Sequence, residues 1–317
     1  MDVLVGLSIL TGWKLVALSW MSRRKRKCYV GTVSDILVYP LKSGRRLKDV
    51  KHATLNKHGL FVDGIGDRHW IICRNGERMN MNRIPRIVTI NTFVEGKNLR
   101  LEVNGFEPLI IPADPEVSEK DITKIKFSTV PQLALDCGDE AATWLCKVLE
   151  RENLRLYHSS AKIEKRLASD SATEKKWKTE IQPQDEAAFQ DFGTCMIMSD
   201  SSMEVLNQRI EKNIHSVQFR PNIMVKGSKP FDEDNWKEVY IGDSAVLRFV
   251  DMCQRCLMVT RDYETGVLDK EEQPLKELKR FRCMEAYGPT KPVMGIQTSF
   301  ENGGVIKLGD PVYVIRK

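Results

Sequence analysis

The chain has 317 residues, of which 42% are hydrophobic, 29% charged and 8% aromatic. That is the profile of a folded protein of about two domains, not of a disordered polymer, a collagen-like repeat or a multi-pass membrane protein. Eight cysteines are too dilute for a disulfide scaffold, and the formal charge of +6 falls to +1 once the run Arg23, Arg24, Lys25, Arg26 and Lys27 is set aside, so no nucleic-acid partner is expected.

Val3 to Met21 is apolar apart from Lys14. A helix of that length spans close to the ~30 Å hydrocarbon layer. The basic run follows it directly, and positive charge on that flank keeps the flank cytosolic. A cleaved secretory signal would carry its charge ahead of the apolar stretch. Residues 1–28 therefore read as a single transmembrane helix, a signal-anchor with its basic flank. A buried or amphipathic helix is the other reading of the same stretch.

From Tyr29 onward the signals are strand and turn. Tyr29 to Tyr39 is β-branched and stops at Pro40. Asn75-Gly76 between two runs in His69 to Met81 marks a hairpin. Ile87 to Phe93 and Leu99 to Val103 continue as strands. Ala141, Trp144, Leu145, Val148 and Leu149 recur at helical spacing, and Leu154 to His158 returns to strand. Ser159 to Glu186 is polar and without apolar periodicity, hence a surface loop. Met196 to Met198 is a short strand. Ser201-x-x-Glu204 is a capping box that opens a helix. Asn222 to Lys226, Glu238 to Ile241, Ala245 to Val250, Leu257 to Thr260, Val305 to Leu308 and Val312 to Ile315 read as strands. The expected class is α+β and β-rich: the anchor over 1–28, an N-terminal β domain over 29–160, a polar linker over 161–186, and a C-terminal β-barrel with a few helices over 187–317.

No dinucleotide fingerprint, Walker loop, nucleophile elbow or HExxH is present. What remains is Cys253-Gln254-Arg255-Cys256. A structural zinc site would need two further ligands, usually from a second close pair. A thioredoxin-like pair would open a helix in a βαβ unit. Two packed thiols without chemistry are the third reading. Arg255 beside Cys256 favours the thiolate, the form that binds soft metals. Lys42-Ser43 after Pro40, Arg68 and Arg220 before Pro221 are candidate anion holders.

The ordered set Tyr39-Pro-Leu-Lys-Ser43, Asp67-Arg-His-Trp70, Arg83-x-Pro-Arg86, Asp136-Cys-Gly138, Asn207-x-Arg209, Phe219-Arg-Pro-Asn222, Cys253-x-Arg-Cys256 and Gly309-Asp-Pro-Val-Tyr313 resembles the MOSC-domain proteins, on the branch of the mitochondrial amidoxime-reducing components. The resemblance runs from about Val30 to the C-terminus. It makes residues 29–160 the MOSC-associated N-terminal domain and residues 187–317 the MOSC domain. It implies a molybdenum cofactor, Mo-molybdopterin, with Cys256 as the metal ligand. Lys42, Ser43, Arg68, Gly193, Arg220, Asn222, Gln254 and Arg255 match positions around the pterin and its phosphate, and Asp191 matches an acidic position near the metal. The implied reaction is reduction of N-hydroxylated compounds such as amidoximes and hydroxylamines, with nitrite or nitrate as further candidates. The implied electron donors are a small b-type cytochrome and its NADH-dependent flavin reductase. The implied location is the mitochondrial outer membrane, with the body in the cytosol. Phe192-Gly193-Thr194, Asn80-Met81-Asn82, Gln297 and Gln254 depart from the usual residues, which bears on substrate range. A non-catalytic cofactor carrier and a dithiol protein are the rival readings.

Overall fold

The computed structural model describes residues 26–127, 130–172 and 177–317. The apolar stretch Val3–Met21 lies outside the described residues, and among those described no helix is long and apolar enough to cross a membrane. The fold is β-rich α+β and holds two closed barrels. The larger is built from Cys28–Ile36, Ile223–Lys226, Cys195–Ser199, Val293–Asn302, Ala245–Gln254, Trp236–Ile241 and Pro311–Arg316, in that order around the ring. The smaller is built from Ile122–Lys126, Pro131–Asp136, Leu154–His158, Trp70–Arg74 and Glu77–Arg78.

The strand Cys28–Ile36, expected with the N-terminal domain, instead closes the C-terminal barrel. It pairs with Ile223–Lys226 on one side and Pro311–Arg316 on the other. It then runs into Tyr39–Ser43, which hooks onto the smaller barrel: Trp70 N–H donates to Pro40 O at 3.0 Å, and Lys42 N–H donates to Trp70 O at 2.8 Å. The first chemistry-bearing segment thus lies where the two barrels meet. Two long strands of the larger barrel, Ala245–Gln254 and Val293–Asn302, pair with three irregularities in register. Such bulges bend a strand, and the last one, between Met252 and Gln254, sits beside Cys253.

Local signals account for several elements. Asn75 and Gly76 both have positive φ, 51° and 76°, as a two-residue hairpin turn requires. The helix Gly138–Leu149 buries Ala141, Leu145, Val148 and Leu149, the face its periodicity marks out.

Elsewhere the local signal was overruled. Leu257–Thr260 is a 3-10 turn, not a strand: Val259 N–H donates to Cys256 O, and the Thr260 hydroxyl closes back on Leu257 O at 2.7 Å. Ser201 is not the helix cap. Ser199 is, accepting from Ser202 N–H, because its hydroxyl is fixed against the fully buried Glu233. Pro85–Thr89 forms a 3-10 turn ahead of the strand Asn91–Glu95. The polar stretch before Ala187 is not solely a surface loop among its described residues. It contains the paired strands Arg166–Leu167 and Glu186–Ala187, and it buries Lys165, Arg166 and Asp185. Those charges tolerate burial because each is bonded; Asp185, for one, takes both of its oxygens to Arg248 at 2.9 Å.

Candidate functional site

Between the barrels lies a cleft of about 480 Å³, within the usual range for ligand sites. All ten residues singled out from the sequence line it: Lys42, Ser43, Arg68, Asp191, Gly193, Arg220, Asn222, Gln254, Arg255 and Cys256. So do the departures at Asn80, Asn82, Phe192 and Gln297.

The anion-holding group rests on an unusual backbone. Ser43, Arg68 and Arg220 all take left-handed φ, at 69°, 53° and 55°. Such values cost a non-glycine residue of order 1 kcal/mol or more and persist only where the surroundings enforce them. Here Arg68 N–H donates to Tyr39 O at 2.7 Å, and Pro221 stiffens the chain after Arg220. The guanidinium carbons of Arg68 and Arg220 lie 4.8 and 4.1 Å from the centre of the Tyr39 ring. Arg68 is tied down by Asp67 Oδ2 at 2.5 Å and by Arg220 O at 2.9 Å. Arg220 gives Nη1 to Gly44 O at 2.8 Å, but its Nη2 is buried with no partner. Burial, then the neighbouring Arg68 charge, pulls Arg220 down to about 10. Two cations on one ring with a free, desolvated donor between the domains form a seat for an anion.

Lys42 is 7% exposed and gives Nζ to Phe189 O and to Asp191 Oδ1, both at 2.9 Å. Burial lowers it to about 8 despite that partner. Enclosure by the cleft walls works against the charge on Asp191, but Lys42 and Arg78 outweigh it and hold the carboxyl well below the usual carboxylate range. Asp191 is therefore held as a carboxylate, ion-paired to Lys42. Gly193 is required by close approach: a Cβ there would sit 2.6 Å from Thr298 O, so any side chain would lift the Asp191 loop off the barrel.

Both cysteines line the cleft, Cys256 exposed and Cys253 buried. Cys253 Sγ accepts from Gln297 Nε2 at 3.1 Å, so the departure at Gln297 is a partner for this sulfur. Desolvation raises the Cys256 thiol and the Met258 N–H pulls it back. Arg255 contributes less than either, because its guanidinium turns inward to Met294 O and Phe219 O, each at 2.9 Å. Arg255 thus favours the thiolate, as its place beside Cys256 suggests, but desolvation outweighs it. Arg255 braces the loop that presents Cys256. Asn222 does likewise: its oxygen accepts from Met196 N–H and Arg68, and its nitrogen donates to Leu37 O. Gln254 Nε2, by contrast, is buried without a partner.

The sequence did not reveal Arg78, Gln190 or Gln218, which also line the cleft. Arg78 follows the Asn75-Gly76 turn, but a hairpin signal fixes the turn and not what the second strand faces. With Lys42 and Arg166 it surrounds the Phe127 ring at 4.6 to 5.2 Å.

A molybdopterin presents a phosphate, a hydrogen-bonding pterin edge and a metal that takes a soft ligand. Against these the cleft sets the unpartnered Arg220 Nη2, the unpartnered Gln254 Nε2 and the exposed thiol of Cys256. The residues fit the group.

The profile of the MOSC domain matches residues 184–313, and that of the MOSC N-terminal beta barrel domain matches residues 30–152. Mitochondrial amidoxime-reducing component 1 of Mus musculus is 32% identical over 299 residues, covering 92% of this chain and 85% of that protein. Component 2 of Rattus norvegicus is 33% identical over 297 residues with the same coverage. Component 1 of Homo sapiens is 32% identical over 304 residues, covering 94% and 87%.

Proposed function

We propose that this chain, which belongs to the MOSC-domain family of the mitochondrial amidoxime-reducing components, is a molybdenum-cofactor-dependent reductase of N-hydroxylated compounds. What carries the reading is the convergence of five separate stretches of chain on one cleft, where two buried donors lack a protein acceptor.

Lys42, Ser43, Arg68 and Arg220 would hold the phosphate, Gln254 the pterin edge and Cys256 the metal. When bound, the cofactor supplies two-electron chemistry that breaks the substrate N–O bond and leaves water as the second product. The chain's own residues do the rest. Lys42 and Asp191 keep each other charged in the cleft wall. Arg255 and Asn222 hold the loops. Gln297 occupies the sulfur of Cys253, which leaves Cys256 as the available thiol. Asn80, Asn82 and Phe192 supply the wall that a substrate meets. Electrons would arrive from NADH through a flavin reductase and a small b-type cytochrome. Val3–Met21 would anchor the protein in the mitochondrial outer membrane, with the body on the cytosolic side.

The test is molybdenum content together with reduction of benzamidoxime by an artificial electron donor. An enzyme holds molybdenum and turns over. A carrier holds molybdenum without turnover, and a dithiol protein holds none; either result would refute the proposal.

A further inference from the structure

The outer face of the larger barrel carries a row of tyrosines. Tyr29 pairs with Tyr313, and Tyr313 with Tyr240, in register across three neighbouring strands. Tyr29 is 60% exposed and Tyr313 39%, and their rings meet edge-on with centroids 5.5 Å apart. Lys27 Nζ sits 3.4 Å from the centre of the Tyr240 ring. The alternate residues Val312, Val314, Val239 and Ile241 already fill the barrel interior, so the tyrosines are not displaced core. Single exposed apolar residues are ordinary, but a contiguous row is a surface with a partner. Tyrosine, apolar in its ring and polar at its tip, is the residue that settles at the headgroup level of a bilayer.

The chain itself indicates what the row faces. Tyr29 lies one residue into the strand Cys28–Ile36. The seven steps from Met21 to Cys28 reach at most about 25 Å even when fully extended. Five of the intervening residues are Arg or Lys, which are drawn to anionic headgroups. Lys317, with Nζ 3.3 Å from the centre of the Phe249 ring, adds a further cation on the same barrel.

Resting on the reading of Val3–Met21 as a membrane anchor, we propose that the face bearing Tyr29, Tyr313 and Tyr240 docks on an anionic phospholipid surface.

The experiment uses the full chain in vesicles of phosphatidylcholine, with and without phosphatidylserine, doped with a headgroup-photoactivatable phospholipid. Vesicles are floated, cross-linked and digested. Peptides containing Tyr29, Tyr240 and Tyr313 are expected to carry lipid adducts, more of them with phosphatidylserine. The triple variant Tyr29→Ser, Tyr240→Ser, Tyr313→Ser, checked for an unchanged melt, should float equally well and lose those adducts severalfold. If the chain floats but adducts are confined to residues 1–25, or fall on the cleft rim, the docking face is wrong while the anchor stands. The same holds if the triple variant keeps its adducts. A chain that does not float at all refutes the anchor reading, and the docking face with it.

Discussion

Arg220→Ala separates a residue that seats an anion from one that merely packs. In protein made without cofactor, the substitution removes one charged hydrogen bond, to Gly44 O at 2.8 Å, worth ~1.5–3 kcal/mol. It also removes a cation–ring contact at 4.1 Å, worth ~0.5–2 kcal/mol. Against this it relieves a buried cation held beside Arg68, the cause of its lowered pKa, so the opposing effects leave a net loss of roughly 1 kcal/mol. In protein that carries cofactor, the Nη2 that has no protein partner gains a phosphate acceptor. Losing that bond costs a further ~1.5–3 kcal/mol, or roughly 10- to 150-fold in retention. The assay is molybdenum and pterin per chain after extensive dilution, with melting temperatures of both forms. The variant should melt near wild type when empty and clearly below it when loaded, whereas Lys226→Ala, at an exposed barrel residue outside the cleft, should change neither. Equal destabilisation of the two forms, or equal occupancy in Arg220→Ala and Lys226→Ala, would refute the reasoning.

Other substitutions probe the remaining walls. Cys256→Ser should abolish N-reduction per chain with the fold intact by circular dichroism. Cys253→Ser, at a buried sulfur that accepts from Gln297 and donates to Gln254 O, should keep substantial activity; equal loss in both would point to a dithiol mechanism. Gly193→Ala places a Cβ against Thr298 O and should cost ~1–3 kcal/mol by thermal unfolding, with partial loss of cofactor as the Asp191 loop shifts. Asp191→Asn tests the ion pair through pH. A carboxyl held below its unfolded value, which lies near ~3.9, contributes stability that is fully present above that value and lost as pH falls through the folded one. Unfolding between pH 5 and pH 2 should therefore be steeper in wild type than in Asp191→Asn, and parallel curves would remove the pair from the stability of the site.

The legible parts of the sequence were those whose signal is local. Asn75-Gly76 demands positive φ at two successive residues, and little besides a hairpin supplies that. Gly138–Leu149 presents one apolar face, so its period survives the fold. Leu257–Thr260 failed because three apolar residues and a threonine fit a strand and a half-buried turn equally well. The strand Val293–Asn302 went unread because Gly295 and a run of Gln, Thr, Ser, Glu and Asn hide its alternation. Ser201 misled because its competitor Ser199 is held by Glu233, distant in sequence. Closure of the larger barrel by Cys28–Ile36 is a pairing across nearly the whole chain, for which no local pattern exists. The cleft was legible only as an ordered set of motifs: each cation alone reads as a solvated charge. What sequence left out was direction. Asn222 and Arg255 lie at the cleft, yet their polar atoms turn back into the protein.

The central claim is that the Cys256 sulfur binds molybdenum in this cleft. X-ray absorption at the molybdenum edge measures it, comparing wild type, Cys253→Ser and Cys256→Ser at matched metal content. The account predicts one molybdenum–sulfur contact fewer in Cys256→Ser, and an unchanged sulfur shell in Cys253→Ser. A sulfur shell that is identical in all three proteins would contradict it.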